Sequence, residues 1–207
     1  MMENQNCGFG RLAFWVVFLF LASCFLPIFG FSCLYAKDIT VLFTGNTHAM
    51  LYPCSCPKEP DGGVARRASL IKQIRQSEPE AILLDTGNFF AGDALGEYTQ
   101  NTQLDTQRTE VNLKAIELMR YDALALGEDE FNFGEDFLKE SIFKDKINLI
   151  SCNVISDFVK PYYIKRVGDL KVGIIGVTSL SAKRKAQKIK LSDDLFTSVK
   201  DAISKLK

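Results

Sequence analysis

Two short stretches of the sequence decide the fold: ITVLFTGNTH at residues 39–48 and AILLDTGN at residues 81–88. In each stretch, a run of apolar and β-branched residues leads directly into a polar turn containing glycine, which is typical of a buried strand followed by a loop. Between them, residues 63–76 repeat apolar residues at helical spacing. The residues on that face are Val64, Ala68, Ile71 and Ile74. This order of strand, helix and strand favours two parallel strands joined by a crossover helix.

The alternation of strand and helix continues toward the carboxyl terminus. A second helix is predicted with four apolar residues facing inward: Val111, Ala115, Leu118 and Met119. The other predicted elements are strands at 122–126 and 147–151, a helix at 134–143, a hairpin of strands 162–167 and 170–177, and a helix at 194–206. Gly168-Asp169 is a strong two-residue turn signal for that hairpin. The sequence therefore predicts an α/β fold in which helices cover a largely parallel sheet.

The composition is that of an ordinary globular protein. The chain has 207 residues, of which 47% are hydrophobic and 24% are charged, and 25 basic side chains balance 25 acidic ones. These values exclude a disordered chain and a repetitive fibre. The charge balance also argues against nucleic acid as a partner, because nucleic-acid-binding domains carry an excess of basic residues.

Residues 12–36 contain no charged side chain. We predict that residues 1–36 are a signal peptide or membrane anchor and that residues 37–207 form a domain outside the cytoplasm, in the periplasm or secreted. Leu34-Tyr35-Ala36 resembles a signal cleavage site, and Leu21-Ala22-Ser23-Cys24 resembles a lipoprotein acylation site. The uncharged run is also longer than the roughly 20 residues that span a bilayer. Cleaved, lipid-anchored and membrane-spanning forms stay open, and all three are exported.

Three cysteines fall in the exported part: Cys54, Cys56 and Cys152. An oxidising compartment favours disulfides, and an odd number of cysteines leaves one thiol over. We favour one disulfide that joins Cys152 to one of the other two. The alternative is a thiolate metal site near His48, although Cys-x-Cys with one histidine falls short of four tetrahedral ligands.

Polar residues follow four consecutive strands of the predicted sheet. These turns are Gly45 to His48, Asp85 to Asn88, Gly127 to Glu130, and Ser151 to Asn153. Loops at the carboxyl ends of parallel strands line the ligand crevice of open α/β sheets. Glycine, asparagine and aspartate are ordinary turn residues, but their coincidence at four strand ends, together with the only histidine of the chain, predicts a functional site.

Six motifs carry a resemblance to a known family. In order, they are ITVLFTGNTHAML (39–51), GGVARRASLIKQIR (62–75), AILLDTGNFFAGDAL (81–95), ELMRYDALALGEDEFNFG (117–134), ISCNV (150–154) and KVGIIGVTS (171–179). Through them the chain resembles the amino-terminal half of the 5′-nucleotidases, which belong to the calcineurin-like metallophosphoesterases. The resemblance implies a four-layer αββα sandwich, truncated here, with a pair of divalent ions at the strand-end rim. By this rim we mean the edge of the sheet where the turns after the parallel strands lie. It also implies hydrolysis of phosphomonoesters such as nucleotides.

The chain departs from the metal-binding motifs of that family. Asn46 stands where the family has a metal-binding aspartate, whereas His48 is retained. Asn88 stands where a carboxylate bridges the two ions. Glu128 and Asp129 replace a metal-binding asparagine and a histidine that steadies the phosphate. The further histidine motifs of the family are expected beyond Lys207.

These substitutions argue against a dinuclear metal site, because two dications about 3.5–4 Å apart need an anion between them. A single divalent ion suits the remaining oxygen donors, with Mg²⁺, Ca²⁺ or Mn²⁺ favoured over Zn²⁺. The candidate metal ligands are Asn46, His48, Asp85, Asn88 and Glu128. His48 and Asp129 are the candidate catalytic residues. As alternatives, Asp85 caps its own turn and Glu128 is solvated.

Arg66 and Arg67 follow Gly62-Gly63 at the predicted start of a helix. Backbone amides and positive charge at such a position suit an anion such as phosphate. The alternative is a solvated helix face.

Three functions are compatible with these features. The first is an exported metallophosphoesterase of the 5′-nucleotidase type that is impaired or inactive alone. The second is a non-catalytic exported domain that binds an anion or is an evolutionary relic. The third is the front half of a split nucleotidase, completed by a separately encoded chain.

Overall fold

Strands and helices alternate along the chain in the computed structural model, which describes residues 38–54, 58, 61–92 and 102–207. The strands are β1 (Val41–Thr44), β2 (Ile82–Asp85), β3 (Ala123–Ala125), β4 (Leu149–Ile150), β5 (Val154–Ile155), β6 (Tyr162–Val167), β7 (Leu170–Ile175) and β8 (Lys190–Leu191). The helices are α1 (Val64–Ser77), α2 (Thr102–Met119), α3 (Glu135–Lys144) and α4 (Leu195–Leu206). Short 3-10 helices occupy Asp129–Phe131 and Leu180–Arg184. The order confirms the predicted α/β fold class.

Strands β1 to β4 form one parallel sheet in the order β1-β2-β3-β4. β1 and β2 are paired from Val41 opposite Ile82 to Thr44 opposite Asp85. β2 has neighbours on both sides, and its apolar residues Ile82 and Leu83 are each only 1% exposed. Because the four strands run in the same direction, the turns that follow them emerge at one edge of the sheet.

Two apolar clusters hold the helices on this sheet. The smaller cluster joins Ile71 of α1, Leu83 of β2 and Met119 of α2. The larger one contains Leu113 of α2, Leu138 of α3 and apolar residues of β3, β4, β5 and β8. Burying these side chains is the main source of stability, at roughly 1.5–3 kcal/mol for each large aliphatic residue.

Helix α2 buries only part of the predicted face: Met119 is buried and Ala115 packs against the smaller cluster, as expected. Val111 and Leu118 were expected to face inward, but they are 52% and 74% exposed. The buried residues of the helix are Asp105, Thr109, Asn112, Leu113, Ile116 and Met119. Two of the polar ones bond to the loop after β2: Oγ1 of Thr109 accepts from the N–H of Ala91 at 3.0 Å, and Nδ2 of Asn112 donates to the carbonyl of Phe89 at 2.9 Å. Asp105 instead pairs with Arg108 of the same helix. An apolar pattern could not reveal this face, because half of the buried residues are polar.

The chain continues from the sheet into a hairpin and a terminal helix. β6 and β7 pair antiparallel around Gly168, whose φ of 55° fits the predicted two-residue turn. β7 ends at Ile175 rather than at the predicted residue 177. Gly173 leaves room for α4, since a Cβ atom there would lie 2.9 Å from Leu206. The antiparallel pair of β5 and β8 was not predicted, because each strand has only two residues.

The predicted leader, residues 1–36, lies outside the described residues. Within the described ranges, no helix is long and apolar enough to cross a membrane.

Candidate functional site at the strand-end rim

The turns after β1 and β2 lie side by side at the carboxyl edge of the sheet. The N–H of Asn46 donates to the carbonyl of Gly87 at 2.9 Å, and the N–H of His48 donates to the carbonyl of Asn88 at 2.9 Å. Asn46 and Asn88 both adopt left-handed backbone conformations, with φ of 52° and 60°. Asparagine tolerates this conformation because its short polar side chain bonds locally. Both turns therefore present their side chains at one rim.

Asn88 links three of the strand-end turns. Its Nδ2 donates to Oδ1 of Asn46 at 2.8 Å. Its Oδ1 accepts the backbone N–H groups of Glu128 at 2.8 Å and Asp129 at 3.1 Å. Gly127 permits this approach, because a Cβ atom there would lie 2.4 Å from Oδ1 of Asn88. The structure thus brings residues 46, 88, 128 and 129 together, and the Oδ1 atoms of both asparagines are already bonded inside the protein.

His48 and Asp129 form a hydrogen-bonded pair at the rim. Nδ1 of His48 lies 2.8 Å from Oδ2 of Asp129, and the ring nitrogen is the donor because an ionised carboxylate only accepts. Oδ1 of Asp129 accepts from Nζ of Lys185 at 3.1 Å. Burial alone would raise the pKa of Asp129, but the hydrogen bonds with His48 and Lys185, together with the charge of Lys185, lower it below its ordinary value. Asp129 is therefore ionised and fixes the orientation of the imidazole ring.

Two cations that follow β7 balance the acidic residues of the rim. Nζ of Lys185 lies 3.8 Å from Oε1 of Glu128, and Nη2 of Arg184 lies 3.4 Å from the same oxygen. Lys185 also donates to Oδ1 of Asn132 at 2.8 Å. Glu128 is therefore ion-paired and not simply solvated.

Asp85 is buried behind the rim and caps its own turn. Its Oδ1 accepts from the N–H of Gly87 at 2.8 Å, and its Oδ2 accepts from Oγ1 of Thr44 at 2.5 Å. Burial raises the pKa of Asp85, and these two hydrogen bonds oppose that effect. The hydroxyl of Tyr121 lies 2.9 Å from the same Thr44 oxygen. These contacts favour the capping role that the sequence left open.

Glu130 organises the backbone beneath the rim, and the sequence analysis did not select it. The side chain is fully buried. Its Oε1 accepts from the N–H groups of Phe89 at 2.7 Å and Phe90 at 3.3 Å. Its Oε2 accepts from the N–H groups of Gly127 at 2.6 Å and Asn88 at 3.2 Å. Burial raises the pKa of Glu130 to about 7 against the opposing effect of these bonds. The only signal in the sequence was its place in the polar turn from Gly127 to Glu130, which does not by itself indicate burial.

A cavity of about 560 Å³ adjoins the rim where α1 begins. Its lining includes Asn46 and Thr47 from the first turn and Arg66 and Arg67 from the helix. Nη2 of Arg67 donates to Oδ1 of Asn112 at 2.7 Å. Nε of Arg67 and Oγ1 of Thr47 are buried and have no hydrogen-bond partner among the described residues. The two arginines proposed to bind an anion therefore border the same cavity as Asn46.

Cys152 is a free thiol, so the favoured disulfide to Cys152 is not formed in this structure. Sγ of Cys54 instead accepts from the N–H of Asp61 at 3.1 Å. Burial raises the pKa of the Cys152 thiol. Cys56 lies outside the described residues.

Comparison with known proteins identifies homologues, although no family model matches the chain. It is 35% identical over 158 residues to snake venom 5′-nucleotidase of Naja atra, covering 69% of this chain and 28% of that protein. The crystal structure of a 5′-nucleotidase precursor from Thermus thermophilus matches with a TM-score of 0.70 at 27% identity, covering 81% of this chain and 34% of that one. The calcineurin-like phosphoesterase YfkN from Bacillus subtilis matches with a TM-score of 0.64 at 27% identity, covering 81% and 57%.

The relatives show that the chain has a nucleotidase-like phosphoesterase fold. More particularly, the chain is a homologue of the amino-terminal domain of the 5′-nucleotidases and calcineurin-like phosphoesterases, as the resemblance implied. It spans little more than a quarter of the length of the curated 5′-nucleotidases that it matches.

A divalent metal is the cofactor that the resemblance to these enzymes implies, but the possible ligand atoms at the rim are not arranged to bind one. No group of three or more His, Cys, Asp or Glu side chains in the described residues could hold a metal ion. Oδ1 of both Asn46 and Asn88 accepts hydrogen bonds. Asp85 and Asp129 accept through both carboxylate oxygens. A metal ion bound to Oδ1 of Asn88 would have to displace one of the two hydrogen bonds that this atom accepts, and one bound to Asp129 would lie beside the Lys185 ammonium.

Proposed function

We propose that this chain is an exported, nucleotidase-like phosphoesterase domain that binds the phosphate of a nucleotide or related phosphomonoester and is impaired in hydrolysis when alone. The observation that carries the proposal is the cavity beside the rim, which is lined by Arg66, Arg67 and Asn46. Homology to 5′-nucleotidases supports nucleotides as the ligand class. The uncharged run at residues 12–36 supports export.

The side chains around the cavity suit a phosphate ester. Phosphoryl transfer depends mainly on positioning and on positive charge near the phosphate oxygens. Guanidinium groups bind such oxygens with two parallel hydrogen bonds, and Arg66 lines the cavity. His48 is the only histidine of the chain, and its contact with Asp129 orients it to move a proton. We attribute the impairment to the carboxylate and amide oxygens of the rim, which already accept hydrogen bonds within the protein.

Hydrolysis of AMP by the purified full chain tests this proposal. We expect AMP to bind, and to be turned over far below the roughly 10 per second typical of enzymes, in the presence or absence of Mn²⁺. Residual turnover should disappear in His48→Ala and persist in Lys72→Ala, which removes an exposed cation of α1. Turnover at an ordinary enzymatic rate would contradict impairment. Absence of both AMP binding and turnover would contradict the assignment to phosphate esters.

We expect Arg66→Ala to weaken binding of AMP by about tenfold, because it removes one charge-assisted contact worth about 1.5 kcal/mol. Isothermal titration calorimetry of the two proteins measures this difference. Lys72→Ala is the matched control, because it removes a positive charge from the same helix without touching the cavity. Equal losses in both variants would mean that only the net charge of α1 matters.

The alternative of a front half completed by a second chain is favoured by one observation: the relatives are more than three times as long as the matched region. A reading frame immediately downstream that encodes further strands and a histidine-rich motif is expected under this alternative. A complex of the two products should then hydrolyse AMP at an enzymatic rate. A downstream sequence without such a frame removes this alternative and leaves the phosphate-binding proposal intact.

A further inference from the structure

Lys185 occupies a central position among the polar groups of the rim. Its Nζ contacts Oδ1 of Asp129 at 3.1 Å and Oδ1 of Asn132 at 2.8 Å, and lies 3.8 Å from Oε1 of Glu128. The side chain of Asp129 is only 6% exposed. A buried carboxylate is strongly unfavourable unless a cation and hydrogen bonds compensate its charge. Lys185 provides that compensation together with His48.

We infer that Lys185, assisted by Arg184, supplies at this rim the positive charge that a divalent ion would otherwise provide, and thereby excludes such an ion. The inference rests on the rim being the site of the proposed function. It assigns a role to two residues that none of the sequence motifs contain.

The balance of charge at the rim supports this role. Glu128 and Asp129 contribute two negative charges, and Lys185 and Arg184 contribute two positive charges within 4 Å of them. The amides at positions 46 and 88 add no charge. The group is therefore neutral before any ion binds, whereas a site for a divalent cation needs an excess of negative charge.

Geometry leads to the same conclusion. A divalent ion bound to Asp129 would sit about 2–2.5 Å from a carboxylate oxygen. That position lies within a few ångströms of the Lys185 ammonium, which would repel it. Arg184 is the weaker barrier, because its side chain is 74% exposed whereas that of Lys185 is 32% exposed. Removal of Lys185 alone should therefore allow a divalent ion to bind at the rim.

Binding of Mn²⁺ alone, without substrate, tests the inference on the full chain. The loss of the electron paramagnetic resonance signal of free Mn²⁺ reports the bound fraction. We expect Lys185→Met to bind Mn²⁺ at least about tenfold more tightly than the wild type, because one repelling charge beside the carboxylates is removed. Lys183→Met is the matched control, because Lys183 pairs with the exposed Asp193, and its affinity should equal that of the wild type.

A second substitution tests whether the additional Mn²⁺ affinity arises at Asp129. In the Lys185→Met background, Asp129→Asn should return the affinity to the wild-type value. If Lys185→Met fails to fold by circular dichroism, Lys185→Gln removes the charge while keeping a donor for Asn132. Wild-type affinity equal to that of the folded Lys185 variant would overturn the inference. The inference would also be overturned if the higher Mn²⁺ affinity of Lys185→Met persisted when Asp129→Asn was added. Neither result depends on AMP binding, so failure here is distinct from failure of the proposed function.

Discussion

Glu130→Ala is expected to lower the free energy of unfolding by about 4 kcal/mol or more, since each buried N–H group left without an acceptor costs about 1–3 kcal/mol. Four backbone N–H groups would lose their acceptor, at Asn88, Phe89, Phe90 and Gly127. Urea denaturation followed by circular dichroism measures the loss. The exposed Glu140 of α3 provides the control, and Glu140→Ala should change the free energy of unfolding by less than about 0.5 kcal/mol.

A second variant, Glu130→Gln, removes the titratable proton of Glu130. Because the amide nitrogen of glutamine cannot accept, two of the four N–H groups also lose their acceptor, which lowers stability at every pH. Burial raises the pKa of Glu130 to about 7, above the ordinary value of 4.5. Between these values the folded state keeps a proton that the unfolded state releases, so stability falls as pH rises through this window. The total fall attributable to Glu130 is about 3 kcal/mol. Glu130→Gln, which cannot titrate, should lack this component. If the free energy of unfolding depended on pH in the same way in wild type and Glu130→Gln, the raised pKa would be contradicted. A small loss of unfolding free energy in Glu130→Ala would contradict the role of Glu130 as acceptor for the four N–H groups.

The sheet and the convergence of its turns could be predicted because they depend on local signals. The apolar runs before Gly45 and before Thr86 are unambiguous strands, and parallel strands bring their carboxyl ends together. That rule predicts that the turns at 45–48, 85–88 and 127–130 lie together, and the resemblance to the family selected positions 46, 48, 88, 128 and 129 within them. The buried face of α2 could not be predicted, because its polar residues bond to a loop that is distant in sequence.

The cationic part of the rim could not be predicted for a related reason. Lys185 meets Asp129 across 56 positions of sequence. It lies in the segment KRKAQKIK, residues 183–190, and a run of charges usually indicates a solvated surface. Only the path of the chain after β7 brings this lysine to the carboxylates. Glu130 is similar, since a glutamate in a polar turn gives no sign that it will be buried among four N–H groups.

The double variant Asn46→Asp with Asn88→Asp is expected to bind Mn²⁺ at least about 100-fold more tightly than the wild type, because affinity for hard cations rises with the number of carboxylate ligands. Both positions have left-handed backbone conformations, which aspartate also accepts. A carboxylate at 88 can still accept the N–H groups of Glu128 and Asp129, so the turns should keep their arrangement. It cannot donate to residue 46, and the two new charges repel each other.

The metal-free double variant should therefore be less stable than the wild type, and Mn²⁺ should restore its stability by about 2.7 kcal/mol at 100 times the dissociation constant. Calorimetric titration and urea denaturation with and without Mn²⁺ measure the two effects. Gln73→Glu with Gln76→Glu adds the same charge on the exposed face of α1 and should change neither. If the double variant binds Mn²⁺ no better than this control, the rim is not a metal site in any charge state, and the loss of the two aspartates cannot explain the impairment.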